Sequence, residues 1–142
     1  MMRYEKLTKE HYHNIKPNAH LSREYHDTTS ETINMIVNLP NQWAGLNENG
    51  EVVVIYGVVD KWKDSAFIWS ILSDISGKYM ISLVKEAKRT LKELTYPRLE
   101  AQVASEFKQG VRLMEVLGFE KGGLLRKYDQ YSRDCYMFSR VL

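Results

Sequence analysis

At 142 residues the chain has the length of one domain, 1–142, and can bury about two-thirds of the surface its unfolded form exposes, so it needs no staple. Its 20 basic and 18 acidic side chains leave a formal net charge of +2 spread along the sequence, which argues against a field strong enough to gather nucleic acid. Cys135 is the only cysteine, which excludes an intrachain disulfide or a cysteine-based zinc site and makes the cytoplasm the expected compartment.

In chain order, Arg3 to Leu7 reads as a short strand, and Lys9 to Ile15 has a weak helical pattern that Pro17 ends. Thr28 with Glu31 three residues later predicts a capping box for a helix over 29–38, with Ile33, Ile36 and Val37 on its apolar face. Gln42 to Leu46 and Glu51 to Val59 flank Asn47-Glu48-Asn49-Gly50, a hairpin signature because Asn-Gly readily adopts positive φ. A polar turn at Asp60 to Asp64 then separates these strands from a third, Ala66 to Leu72.

The period changes after Lys78. Met80, Ile81, Val84, Ala87, Leu91 and Leu94 recur at helical spacing, with Lys85, Lys88, Arg89 and Lys92 mostly opposite, so an amphipathic helix runs to Leu94. Pro97 breaks it and Leu99 to Ala104 reads as a strand. Ser105 is the expected cap of a further helix carrying Phe107, Val111, Met114 and Leu117. Gly118 ends that helix in a left-handed turn, with Phe119 folding back on it. Leu124 to Tyr128 and Cys135 to Val141 are two closing strands, the last an expected exposed edge through which a homodimer can pair.

This order of elements resembles the GNAT superfamily of N-acetyltransferases. The resemblance is carried by Arg98-Leu99-Glu100-Ala101-Gln102-Val103, by Arg112 to Glu120 around Leu117-Gly118-Phe119, and by the tail Gly122 to Tyr128. Within the superfamily, Phe107-Lys108-Gln109-Gly110 and the closing pattern are most similar to small proteins carried by phages and prophages. The implied fold is an α/β (α+β) mixed sheet, mostly antiparallel and flanked by helices, of the acyl-CoA N-acyltransferase kind.

The resemblance also implies acetyl-coenzyme A as cofactor, with its pyrophosphate on the loop that enters the central helix. Helix N-termini favour such anions because they present unpaired N–H donors and a positive dipole end. That loop is Leu72-Ser73-Asp74-Ile75-Ser76-Gly77-Lys78, and of the family's glycine-rich pattern only Gly77 remains. Ser73 and Ser76 bring hydroxyls, Lys78 a cation and Asp74 a negative charge. Many family members place a tyrosine as general acid where this chain has Met114, which cannot donate a proton; Tyr128 or Tyr131 is the substitute. Glu100, on the strand beside the implied cleft, is the candidate base, an ion-paired carboxylate being the ordinary alternative.

Other signals read as structural. His11 and His13 are two apart in a helical or irregular segment, so surface histidines are expected and no metal site. Trp43 and Trp69 lie in strand patterns and Trp62 in a polar turn, without the basic interleaving of a stacking platform. Cys135 reads as a small buried hydrophobe. No segment approaches the roughly 20 apolar residues that span a bilayer, and Met1 to Lys6 lacks a signal-peptide pattern, so no membrane association is expected.

Two functions follow as expectations. The first is direct acetyl transfer from acetyl-coenzyme A to the amine of a small molecule or protein. The second is a non-catalytic scaffold, a virion component or a binder of phage or host proteins, that keeps the fold after its loop and acid were altered.

Overall fold

The computed structural model describes residues 1–142. Its strands are β1 (Arg3–Lys6), β2 (Gln42–Leu46), β3 (Val52–Trp62), β4 (Ser65–Leu72), β5 (Arg98–Ala104), β6 (Glu120–Leu125) and β7 (Cys135–Val141). The helices are α1 (Lys9–Asn14), α2 (Ser22–Asp27), α3 (Ser30–Val37), α4 (Met80–Glu93) and α5 (Lys108–Val116). The strands form one mixed seven-stranded sheet in the order β1-β2-β3-β4-β5-β7-β6, flanked by helices, which is the architecture the sequence implies. The residues divide into two compact units, 1–59 with 69–83, and 60–68 with 84–142.

In the first unit, β1 and β3 pair antiparallel with β2. The hairpin between β2 and β3 turns as its Asn-Gly predicts: Gly50 has φ +77°, and its N–H bonds the Asn47 carbonyl at 3.0 Å. Leu7, Tyr12, Ile15, Ile33, Ala44, Leu46 and Ile55 form the core, each buried leucine or isoleucine contributing on the order of 1.5–3 kcal/mol. Tyr12 and Tyr25 stack at 4.9 Å and exchange hydroxyl bonds with each other's carbonyls, which fastens α1 to α2.

Three expectations shift here. The cap of α3 is Thr29, which accepts from the Thr32 N–H, while Thr28 bonds back to the Glu24 carbonyl and closes α2. β3 runs on through Asp60 to Trp62, so the polar turn is shorter than expected; it leaves Trp62 at a strand end, 71% exposed. His11 is buried rather than on the surface. Its Nδ1 accepts from the Thr8 N–H at 3.0 Å, which leaves Nε2 to donate to Glu5 Oε1 at 2.9 Å.

In the second unit, β4 pairs parallel with β5 over Ser65–Phe67 and Arg98–Glu100, and β5 pairs antiparallel with β7. Leu99 and Phe138 are fully buried, and Ala101 is buried. The N-cap of α5 is Phe107, with no side-chain bond, rather than Ser105, which lies before the cap position and has its N–H on the Asp134 carbonyl. Its C-terminus is as expected: Gly118 has φ +88°, its N–H bonds Glu115, and the Phe119 N–H reaches Met114. The closing strands differ. β6 starts at Glu120 and ends at Leu125, so Tyr128 lies beyond it, and β7 is interior, with β6 as the edge. The last strand therefore offers no free edge for a second copy.

Candidate functional site

The loop from Leu72 to Lys78 lies within the first unit and is built from three contributions. β4 ends at Leu72, and Ser73 continues it by a single antiparallel bridge to Pro17. The Asn18 N–H bonds the Leu72 carbonyl at 2.8 Å and the Asp74 N–H bonds the Lys16 carbonyl at 2.9 Å, so the segment after α1 is laced to the loop. A 3₁₀ turn, Ser76–Tyr79, then leads into α4.

Four backbone donors of this turn are occupied: Ser73 by Val53, Asp74 by Lys16, Ser76 by Ser73 and Lys78 by Ile75. Ile75 and Gly77 are the donors these bonds do not take up. Gly77 is exposed, and a Cβ built on it would meet nothing within 4 Å, so the side-chain side of this residue is open space. Asp74 and Lys78 are also exposed, whereas Ser73 and Ser76 are sealed in, each 1% accessible. The Ser73 hydroxyl has no hydrogen-bond partner, an unusual state for a buried polar atom. Lys16, which the linear sequence gave no reason to select, is exposed beside Asp74 and adds a second cation to the turn.

The features that suit a pyrophosphate are the two N–H groups not taken up by the turn, those of Ile75 and Gly77, and two exposed lysines, Lys16 and Lys78, against the single carboxylate of Asp74; the Ser73 hydroxyl is sealed behind them.

Glu100 lies in the second unit and is 7% exposed. Its Oε1 takes Lys61 Nζ at 3.1 Å and its Oε2 takes Arg98 Nε at 2.7 Å. The Arg98 bond, then Lys61, hold the carboxyl below its ordinary value against the opposing effect of burial. Phe67, the register partner of Glu100 on β4, carries the Lys61 ammonium 5.0 Å from its ring centroid.

Tyr128 sits in the turn after β6, where its N–H bonds the Arg133 carbonyl at 2.9 Å and its side chain is 48% exposed. The organiser of that turn, missed in the sequence, is Asp129: Oδ1 accepts from the N–H groups of Tyr131 and Arg133, and Oδ2 from Arg133 Nε at 2.7 Å. Such an Asx turn has a short-range signal, Asp followed by polar residues, but it resembles any exposed loop. Tyr131 packs against the Arg133 guanidinium. Met114 is buried in α5. Burial pushes the Cys135 thiol up, and no three or more His, Cys, Asp or Glu side chains converge as metal ligands.

No protein-family model matches the chain, and no curated protein matches it in sequence. Its fold, however, is that of solved GNAT acetyltransferases. The chain is similar to a "putative phosphinothricin N-acetyltransferase", with a TM-score of 0.80 and 17% identity over 100% of this chain and 99% of that one. A probable acetyltransferase from Staphylococcus epidermidis superposes with a TM-score of 0.78 at 12% identity, covering 99% of both chains. A GNAT-family acetyltransferase from Bacillus anthracis gives 0.72 at 14% identity, over 99% of this chain and 94% of that one. The architecture is the GNAT acyl-CoA N-acyltransferase fold. No helix is long and apolar enough to cross a membrane.

Proposed function

We propose that the protein is an acetyl-coenzyme-A-dependent N-acetyltransferase that transfers directly to an amine. The observation that carries this reading is the exposed Gly77 in the turn before α4, its N–H not taken up by the turn's backbone bonds, with the exposed Lys78 next to it and Lys16 bonded through its carbonyl to Asp74. In this reading Ile75 and Gly77 donate N–H bonds to the pyrophosphate, the two lysines supply the charge, and Ser73 gains a partner through water or a small shift of the turn. Bound acetyl-coenzyme A would supply an activated thioester, whose acetyl carbon joins the amine nitrogen as the C–S bond breaks.

Glu100 and Tyr128 are the candidates for moving protons. Glu100 is anionic at neutral pH, and with both oxygens held by cations it is a weak base unless Lys61 or Arg98 moves away. Tyr128 has an exposed side chain that carries a phenolic proton.

The test is release of free coenzyme A thiol in the presence of separate amines: an amino acid bearing a phosphinate, as in the neighbour named for phosphinothricin, a polyamine, and a peptide N-terminus. Acetyl-coenzyme-A- and amine-dependent thiol release supports the reading. Buried Met114 favours the second reading, a scaffold without transfer activity, because that position has no proton to give. Cofactor binding without turnover on any amine would select it.

A further inference from the structure

A concavity of about 500 Å³ opens within the second unit between the last turns of α4, the end of α5 and β7. That volume lies in the range of small-molecule sites. Leu91, Leu94, Val116, Leu117 and Leu142 give it apolar walls, and two of these are conspicuously wet, Val116 at 44% and Leu142 at 71% exposure. The charged side chains that line it are all basic, Lys88, Lys92 and Arg140.

The charge of Arg140 is not neutralised by an acid. Its two terminal nitrogens bond the carbonyls of Leu91 at 2.8 Å and Leu94 at 3.0 Å, closing the C-terminus of α4, and its Nε has no partner. Carbonyl dipoles solvate a guanidinium but leave its unit charge in place. Lys88 and Lys92 stand one helical turn apart, about 5–6 Å between Cβ atoms, so both ammonium groups can approach one anion. The two carboxylates of this stretch of α4, Glu86 and Glu93, are both paired with Arg89.

We propose that this concavity is a ligand site for a single-chain amphipathic carboxylate, with the headgroup between Lys88 and Lys92 and the chain laid against Leu91, Val116, Leu117 and Leu142. Apolar walls alone would accept any greasy molecule; the uncompensated cations select an anion and reject a cation. The site is independent of the cofactor reading and draws on none of its residues.

Titration of the full chain with decanoate, followed by methyl NMR, tests this. The expected result is saturable shifts at Leu91 and Leu117, with dissociation on the order of 10–100 μM. Decylamine, of the same chain length, is expected to give none at matched concentration. Lys88→Gln with Lys92→Gln should weaken decanoate at least about tenfold with unchanged circular dichroism, and Gly77→Val should leave decanoate binding as it was. Absence of saturable shifts at about 1 mM decanoate, equal binding of decylamine, or shifts confined to the Ser73–Lys78 turn would each overturn the proposal.

Discussion

Lys61 and Glu100 meet at 3.1 Å, 39 residues apart in sequence, and they do so with Arg98 already 2.7 Å from the other carboxylate oxygen. A nearly buried carboxylate is thus shared between two cations that keep a third or more of their side-chain surface in water. The arrangement makes Glu100 a fixed anion first and a proton acceptor only if one partner leaves. Glu100→Gln should therefore cost about 1–2 kcal/mol in urea unfolding, since it leaves two adjacent half-solvated cations unpaired. Turnover should fall by no more than about tenfold if the role is positional. A loss of about a thousandfold with unchanged stability would assign it as the base.

The same pair sets an acid response. The folded Glu100 carboxyl lies below its ordinary value of 4.5. The stability it contributes is therefore complete above that value and is lost as pH falls through the lower folded one. Thermal melts from neutral pH into the acid range should show Glu100→Gln and wild type converging below pH 4.5. Curves that stay parallel would contradict the ion-pair account.

Gln42 explains a glycine. Its amide donates to the carbonyls of Pro40 and Val58 and accepts from Trp69 Nε1 at 2.8 Å. A Cβ on Gly57, its register partner, would sit 1.8 Å from Gln42 Oε1. Gly57→Ala should cost about 2–4 kcal/mol, because the amide must leave its buried partners. Gly77→Ala, into open space, should cost at most about 1 kcal/mol. Urea midpoints followed by tryptophan fluorescence compare the two.

Ser73→Ala separates stability from binding. Removing a buried hydroxyl that has no partner should leave the melting temperature unchanged or raise it. The same change should weaken acetyl-coenzyme A several-fold if the hydroxyl takes part in holding the cofactor. Calorimetry and a thermal melt on one preparation decide; affinity left intact would remove Ser73 from the site.

Elements with a periodic or turn signal were legible in the sequence: the Asn47-Gly50 hairpin, the amphipathic α4, and the Gly118 turn with Phe119 folded back on it. Errors came where one threonine or serine had a near neighbour able to do the same task, as Thr29 did for Thr28, or where chain geometry took the residue elsewhere, as with Ser105. The burial of His11 depends on Glu5 and on Thr8, whose capping exchange a two-residue histidine spacing does not reveal. Of the candidate site, the Ser73–Lys78 loop could be read from its place before α4, but Lys16 could not. It arrives through a backbone bond across 58 positions, in a segment held to the loop by the Pro17–Ser73 bridge and the Asn18–Leu72 bond.

The central claim, that the turn before α4 holds acetyl-coenzyme A, is tested most directly by calorimetric titration of wild type and Gly77→Val with the cofactor. The account predicts one site with micromolar affinity in wild type and at least about tenfold weaker binding in Gly77→Val, with both proteins equally folded. No measurable heat in wild type at about 1 mM cofactor, or equal affinity in the two proteins, would contradict it.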